Sequence, residues 1–165
     1  MLIVNIIGVG RKRGKTKLIE VLIKELTQMK YHVSTIKHIS KGSFDTTQKD
    51  TWRHLKAGAK KVIAISRNEL VCIQNINSPV LDTAIAELGD HVDIVFVEGF
   101  KKAPYPKIIV AKTISDVKKL MNEVHRVFAI TGAISKNSEL QHYQKIPIYE
   151  PLQLVNVLVR MIIND

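Results

Sequence analysis

Short, nearly continuous apolar runs alternate along this chain with stretches whose apolar positions recur at helical spacing. That pattern predicts βα crossover units feeding a mostly parallel sheet flanked by helices. Leu2 to Ile7 (LIVNII) predicts a buried strand, and Lys15 to Met29 a helix carrying Leu18, Ile19, Val21, Leu22, Ile23 and Leu26. His32 to His38 predicts a second strand, Asp50 to Ala57 a short helix, and Lys61 to Ile65 with Leu70 to Gln74 a strand pair around Ser66-Arg67-Asn68. A helix over Pro79 to Leu88 leads into Val92 to Val97 (VDIVFV), β-branched and apolar with one polar residue near its start. Lys107 to Val110, Ser115 to Met121 and Val127 to Ile130 continue as strand, helix and strand, and a helix from Leu152 to Ile163 closes a single domain over residues 1–165. Ser135 to Gln144 is polar and is expected to form a mobile loop.

Composition narrows the class without naming a chemistry. A chain of 165 residues with 45% hydrophobic content can bury an ordinary core. No apolar run is long enough to span a bilayer, and the amino terminus enters a strand without a basic leader, so a cytoplasmic location is expected. The single Cys72 lies in the apolar stretch Leu70 to Ile73, where it reads as a small core hydrophobe with no second thiol to pair with. A net charge of +10 calls for an anionic partner. With only 5% aromatic residues for base stacking and its cations dispersed, the chain fits phosphate-rich small molecules better than nucleic acid.

The densest chemical signal lies between the first strand and the first helix. Gly8-Val9-Gly10-Arg11-Lys12-Arg13-Gly14-Lys15-Thr16 ends as the phosphate-binding template G-x-x-x-x-G-K-[ST] does, with Gly14, Lys15 and Thr16 in sequence. There the free N–H groups of a helix start meet an anion, the lysine bridges phosphates and the threonine hydroxyl is a magnesium ligand. The template's first glycine falls on Val9, between Gly8 and Gly10. Either the loop differs by one residue or Gly10 has taken over that role. The residues Gly10 to Lys17 are the candidate nucleotide contacts, because the cations Arg11, Lys12, Arg13, Lys15 and Lys17 repel one another unless an anion sits among them.

Two further strand ends carry charge. Glu98 follows the VDIVFV run, where an acid can hold Mg²⁺ outside the carboxyl end of a parallel strand. Asp93, at the start of the same strand, belongs to the opposite sheet edge. Lys37 and His38 end the second strand, and the segment after them brings Asp45 and Asp50, placing cations and carboxylates on the edge that holds the phosphate loop. Trp52, at helical spacing from Leu55, is expected in the core.

Taken in order, the phosphate loop, TIKH, KDTWRHLKAGA and DIVFVEGFKKAPYPKI resemble the MobB family, the molybdopterin-guanine dinucleotide biosynthesis adaptors. The resemblance covers about the first two-thirds of the chain, and its specific elements are Lys49 to Ala59, Val97 to Lys101 and Pro106-Lys107. The chain departs from the family pattern at Val9 and in the shortened run His38-Ile39-Ser40 and loop Phe44 to Gln48. The resemblance implies a P-loop NTPase-like fold, GTP with Mg²⁺, a homodimer, at most slow hydrolysis, and assistance to a MobA-like guanylyltransferase that attaches GMP to molybdopterin. It puts Thr16, Glu98 and Asp50 at the metal, and Lys37, His38, Arg53, Lys101 and Lys107 at the pterin phosphate or the partner. Guanine rests on the resemblance alone, since no N-K-x-D motif is present. A small P-loop kinase and a scaffold or nucleic-acid protein that has lost its nucleotide are the rival classes, and the first lacks an arginine-bearing lid.

Overall fold

The computed structural model describes residues 1–10, 14–39, 48–76 and 81–164. They fall into two compact units, Met1–His38 with Leu81–Asp165, and Ile39–Val80.

In the larger unit the apolar runs become β1 (Leu2–Gly8), β2 (Val33–Lys37), β5 (Ile94–Glu98), β6 (Lys107–Val110) and β7 (Val127–Thr131), all parallel in the order β2-β5-β1-β6-β7. Alternation along each strand divides the core between two faces. Val4, Ile6, Phe96, Ile108 and Val110 pack with Leu18 and Leu22 of α1 (Lys15–Gln28) and Leu154 and Leu158 of α5 (Pro151–Ile163). Ile7, Ile109 and Ile130 pack with Val117 and Leu120 of α4 (Ile114–Met121). The helix α4 starts where Thr113 and Asp116 exchange hydrogen bonds, a capping box that supplies an acceptor to an otherwise orphaned backbone donor.

The predicted helix over Pro79 to Leu88 is α3 (Leu81–Ala86), with residues 79 and 80 outside the described ones. The Ser135 to Gln144 segment departs from the expected mobile loop. Ala133–Lys136 is a 3₁₀ turn, and β8 (His142–Tyr143) pairs with β9 (Ile146–Pro147). Ile148 bridges Ile130 in parallel and Tyr149 N donates to Ile130 O at 2.9 Å, so this segment extends the sheet's edge beside β7.

The smaller unit contains α2 (Asp50–Lys56) and the antiparallel hairpin of β3 (Lys61–Ile65) and β4 (Leu70–Gln74). Here Cys72 is exposed, which corrects its expected place in a core. A two-stranded hairpin has two faces and little to cover them, so apolar residues on it need not be interior. Trp52 is half-buried, with Lys56 Nζ 5.7 Å from its ring centroid.

Candidate functional site

The carboxyl ends of β1, β5 and β2 lie side by side in the sheet, and each delivers one element of the site. After β1 the chain turns into α1 through Gly14, whose φ of 92° is a left-handed value that side chains with a Cβ rarely adopt. Lys15 and Thr16 then occupy the first turn of α1, where free N–H groups face outward. Lys15 Nζ donates to Gly10 O at 3.0 Å, which ties the ammonium back to the end of the described segment after β1. Lys17 is exposed on the next position, and Arg11, Lys12 and Arg13 lie outside the described residues.

Glu98 ends β5 with a side chain only 15% exposed. Its Oε2 accepts from Thr16 Oγ1 at 3.3 Å and lies 3.5 Å from Lys37 Nζ at the end of β2. The sheet thus brings together three residues far apart in sequence, in the grouping expected from their strand ends. A hydroxyl and a carboxylate oxygen at this separation fit Mg²⁺, which favours hard oxygen ligands and keeps waters and phosphate oxygens for its other positions. No group of three or more His, Cys, Asp or Glu side chains suited to a metal occurs among the described residues, and a phosphate-completed Mg²⁺ site does not require one.

The loop after Glu98 is tightly held. Gly99 has φ 102°, and a Cβ there would stand 2.9 Å from His38 Cβ, so only glycine lets β2 and the loop approach this closely. Phe100 stacks on His38 with ring centroids 4.5 Å apart. Beneath the loop lies Asn5, fully buried in β1, whose Nδ2 donates to Gly99 O at 2.8 Å. Its Oδ1 has no hydrogen-bond partner among the described residues, an arrangement that costs about 1–3 kcal/mol. Asn5 was visible in the sequence as the one polar residue inside LIVNII, and its partner is 94 residues away.

Lys107 is placed differently from expectation. It is 2% exposed, pairs in register with Asn5, and donates through Nζ to Ala103 O and, at 2.8 Å, to Tyr105 O. Its ammonium is committed to the loop and does not reach the rim. Desolvation by burial, and then the charge of Arg126, hold its pKa below the usual lysine value. Lys101 stays at the surface, 3.4 Å from Glu123. In the smaller unit Asp50 and Arg53 form an exposed ion pair across one turn of α2 at 3.4 Å. Asp45, also expected near the metal, lies outside the described residues.

The model of MobB, described as molybdopterin guanine dinucleotide synthesis protein B, matches residues 3–133. The chain belongs to the MobB family. One MobB relative, a molybdopterin-guanine dinucleotide biosynthesis adapter protein of Haemophilus influenzae, is 38% identical over 99 residues, 58% of this chain and 56% of that protein. The match therefore spans little more than half of that relative. A probable molybdopterin-guanine dinucleotide biosynthesis adapter protein of Bacillus subtilis is 28% identical over 152 residues, 89% of this chain and 84% of the relative. Among solved structures, MobB from Bacillus subtilis superposes with a TM-score of 0.76 at 24% identity over 97% of both chains. A MobB homologue from Bacillus stearothermophilus gives 0.73 at 19% identity over the full length of both. These likenesses establish the P-loop NTPase-like MobB fold.

Proposed function

We propose that this MobB protein binds GTP with Mg²⁺ and acts as an adaptor to a MobA-like guanylyltransferase in attaching GMP to molybdopterin. The observation that carries the reading is the meeting of Thr16, in the first turn after the phosphate loop, with Glu98 at 3.3 Å. Lys15 then holds phosphate oxygens, Thr16 and Glu98 hold Mg²⁺ directly or through water, and Lys37 balances the charge beside them. The metal supplies charge neutralisation on the phosphates. The described residues next to Glu98 include Thr16, Lys37 and the His38–Phe100 stack, a set suited to holding a nucleotide and its metal, and the reading is of an accessory role with at most slow hydrolysis. The names of the two relatives support the adaptor role. A cytoplasmic site of action and a homodimer belong to the same proposal. No helix among the described residues is long and apolar enough to cross a membrane.

A cleft of about 430 Å³ could receive the base. Ser135, Asn137, Gln141, Glu150 and Gln153 line it, at the sheet edge where β7 ends and α5 begins. The strand β7 lies two places from β1, about 10 Å at ordinary strand spacing, a span suited to a nucleoside whose phosphates rest on the loop.

A competition titration of GTP against ATP, with and without Mg²⁺, tests the reading. GTP with Mg²⁺ should bind in preference, and Lys15→Ala should weaken binding by about 2–5 kcal/mol without unfolding the chain. Equal ATP affinity would remove the guanine assignment, and unchanged affinity in Lys15→Ala would move the phosphates off this loop. With purified guanylyltransferase and metal-loaded molybdopterin, addition of this protein should raise dinucleotide yield. Product formed without the transferase would make it the enzyme.

A further inference from the structure

The connection from β5 to β6 is fastened by side-chain donors, of which Asn5 and Lys107 are buried and Arg126 is exposed. Asn5 Nδ2 donates to Gly99 O at 2.8 Å and reaches Phe100 O at 3.5 Å. Lys107 Nζ holds Ala103 O and Tyr105 O, and Arg126 donates to Pro104 O at 2.7 Å. The backbone adds Ala103 N to Phe100 O at 2.9 Å. Asn5 and Lys107 are neighbours in the β1–β6 register, so one polar pair inside the sheet grips both ends of the loop.

Stability alone does not account for that pair. The sheet positions around it are apolar, and the orphaned Oδ1 of Asn5 and the desolvated ammonium of Lys107 both work against folding. A residue that breaks the local rule at such a place is expected where function has set it. What the grip fixes lies one residue upstream. Gly99 and Phe100 hold left-handed backbone angles of 102° and 46°, and Phe100 rests on His38. His38 follows Lys37 and its N–H donates to Glu98 O at 2.9 Å. The loop, the end of β2 and the Glu98 carboxylate are therefore one connected assembly.

We infer that Asn5 and Lys107 are positioning residues, which hold the β5–β6 loop so that Glu98 stays on Thr16 in the geometry a Mg²⁺-nucleotide requires. The inference rests on the proposed nucleotide site and adds to it two residues that touch neither metal nor phosphate. Loss of an outer support of this kind lowers metal affinity while leaving the phosphate grip intact.

Asn5→Val removes the loop contact and relieves the orphaned acceptor, so it should keep or raise the melting temperature. It should nevertheless raise the Mg²⁺ concentration for half-maximal GTP binding about tenfold, with metal-free GTP affinity within about twofold of the parent. Lys107→Met should do the same, with partial recovery in Lys107→Arg. A folded Asn5→Val with an unchanged Mg²⁺ half-point would overturn the inference. Amide exchange on the unaltered protein supplies a second test that needs no ligand. Gly99 and Ala103, whose N–H groups donate to Ile6 O and Phe100 O, should be protected before nucleotide is added, and Asn5→Val should accelerate their exchange. Exchange at unfolded-chain rates in the parent would also overturn it. If the parent shows no Mg²⁺-dependent nucleotide binding at all, the site reading fails separately, and exchange alone decides whether the pair holds the loop.

Discussion

In β5, Ile94, Val95, Phe96 and Val97 are all fully buried, whereas on the β3–β4 hairpin Ile63, Ile65 and Leu70 are 57, 77 and 68% exposed. The two segments are similarly apolar, and both form the strands their sequences predict. What separates them is the number of neighbours each strand has inside its own unit. The strand β5 lies between β2 and β1, with apolar side chains packed against each face. The hairpin has one partner strand, and its cross-strand pairs Ile63 with Cys72 and Ile65 with Leu70 share a face that stays open to solvent within the unit. Apolar patterning therefore specifies the strand, while burial depends on how many layers the fold stacks around it. The same difference bears on function, since a rigid buried strand is what carries Glu98 to a fixed place.

The largest expected effect comes from cutting the same kind of side chain in both places. Phe96→Ala leaves a cavity inside the sheet and should cost about 3–5 kcal/mol in urea unfolding. Ile65→Ala deletes mostly solvated surface and should stay within about 0.5 kcal/mol. Comparable losses would break the comparison and show that the hairpin face is covered in solution.

The two carboxylates expected at the metal divide along the same line. Glu98 stands on the buried sheet, shielded and shared by Thr16 and Lys37, while the Asp50 side chain is 83% exposed in the smaller unit and faces Arg53. Glu98→Gln keeps the shape and gives up the charge, so the Mg²⁺ half-point for GTP binding should rise at least about tenfold. Asp50→Asn should change it by less than about twofold, as for an exposed ion pair. The reverse order would make Asp50 the metal ligand and Glu98 a turn residue.

Cys72 reports directly on the hairpin. An exposed thiol should react with a maleimide without denaturant, at a rate within about tenfold of the unfolded chain. Protection of several orders of magnitude would place the thiol in an interior after all.

Much of this was legible in the residues themselves. The run VDIVFV specifies a strand, and an acid directly after it can only emerge at the sheet's carboxyl edge. The start of α1 at Lys15 and Thr16 and the end of β2 at Lys37 were placed by the same logic, and the meeting of Thr16 and Lys37 at Glu98 follows from strand order. Three features were not legible for physical reasons. The face of Ile63 and Cys72 is set by what packs on it, and periodicity carries no such information. The segment after Ser135 hides strands of two residues each, β8 and β9, too short for any pattern to reveal. Lys107 opens its strand as a rim lysine would, and only the carbonyls of the folded loop show why its charge is inside.

The smallest effect lies at the opposite edge of the sheet, where the larger unit behaves like the exposed hairpin. Asp93 Oδ2 accepts from His32 N at 2.7 Å and lies 3.2 Å from His32 Nδ1. The backbone hydrogen bond from His32 is the largest influence and, with the lesser help of the His32 ring, holds the Asp93 carboxyl below its usual value against the opposing effect of burial, which ranks second. A carboxylate whose folded pKa is lowered adds stability that is complete above about pH 4 and is lost as pH falls through the folded pKa. The side chain is 40% exposed, so solvent and salt screen the contact, and the contribution at pH 7 should stay below about 1 kcal/mol. Asp93→Asn should thus destabilise slightly at pH 7, and the gap from the parent should narrow as pH falls through the folded pKa and the parent's carboxylate loses its charge. Because β5 separates Asp93 from Glu98, GTP affinity should not change in the variant. A gap that stays constant as the parent's carboxylate is protonated in acid would mean that its charge contributes nothing and the neutral hydrogen bond carries the whole effect.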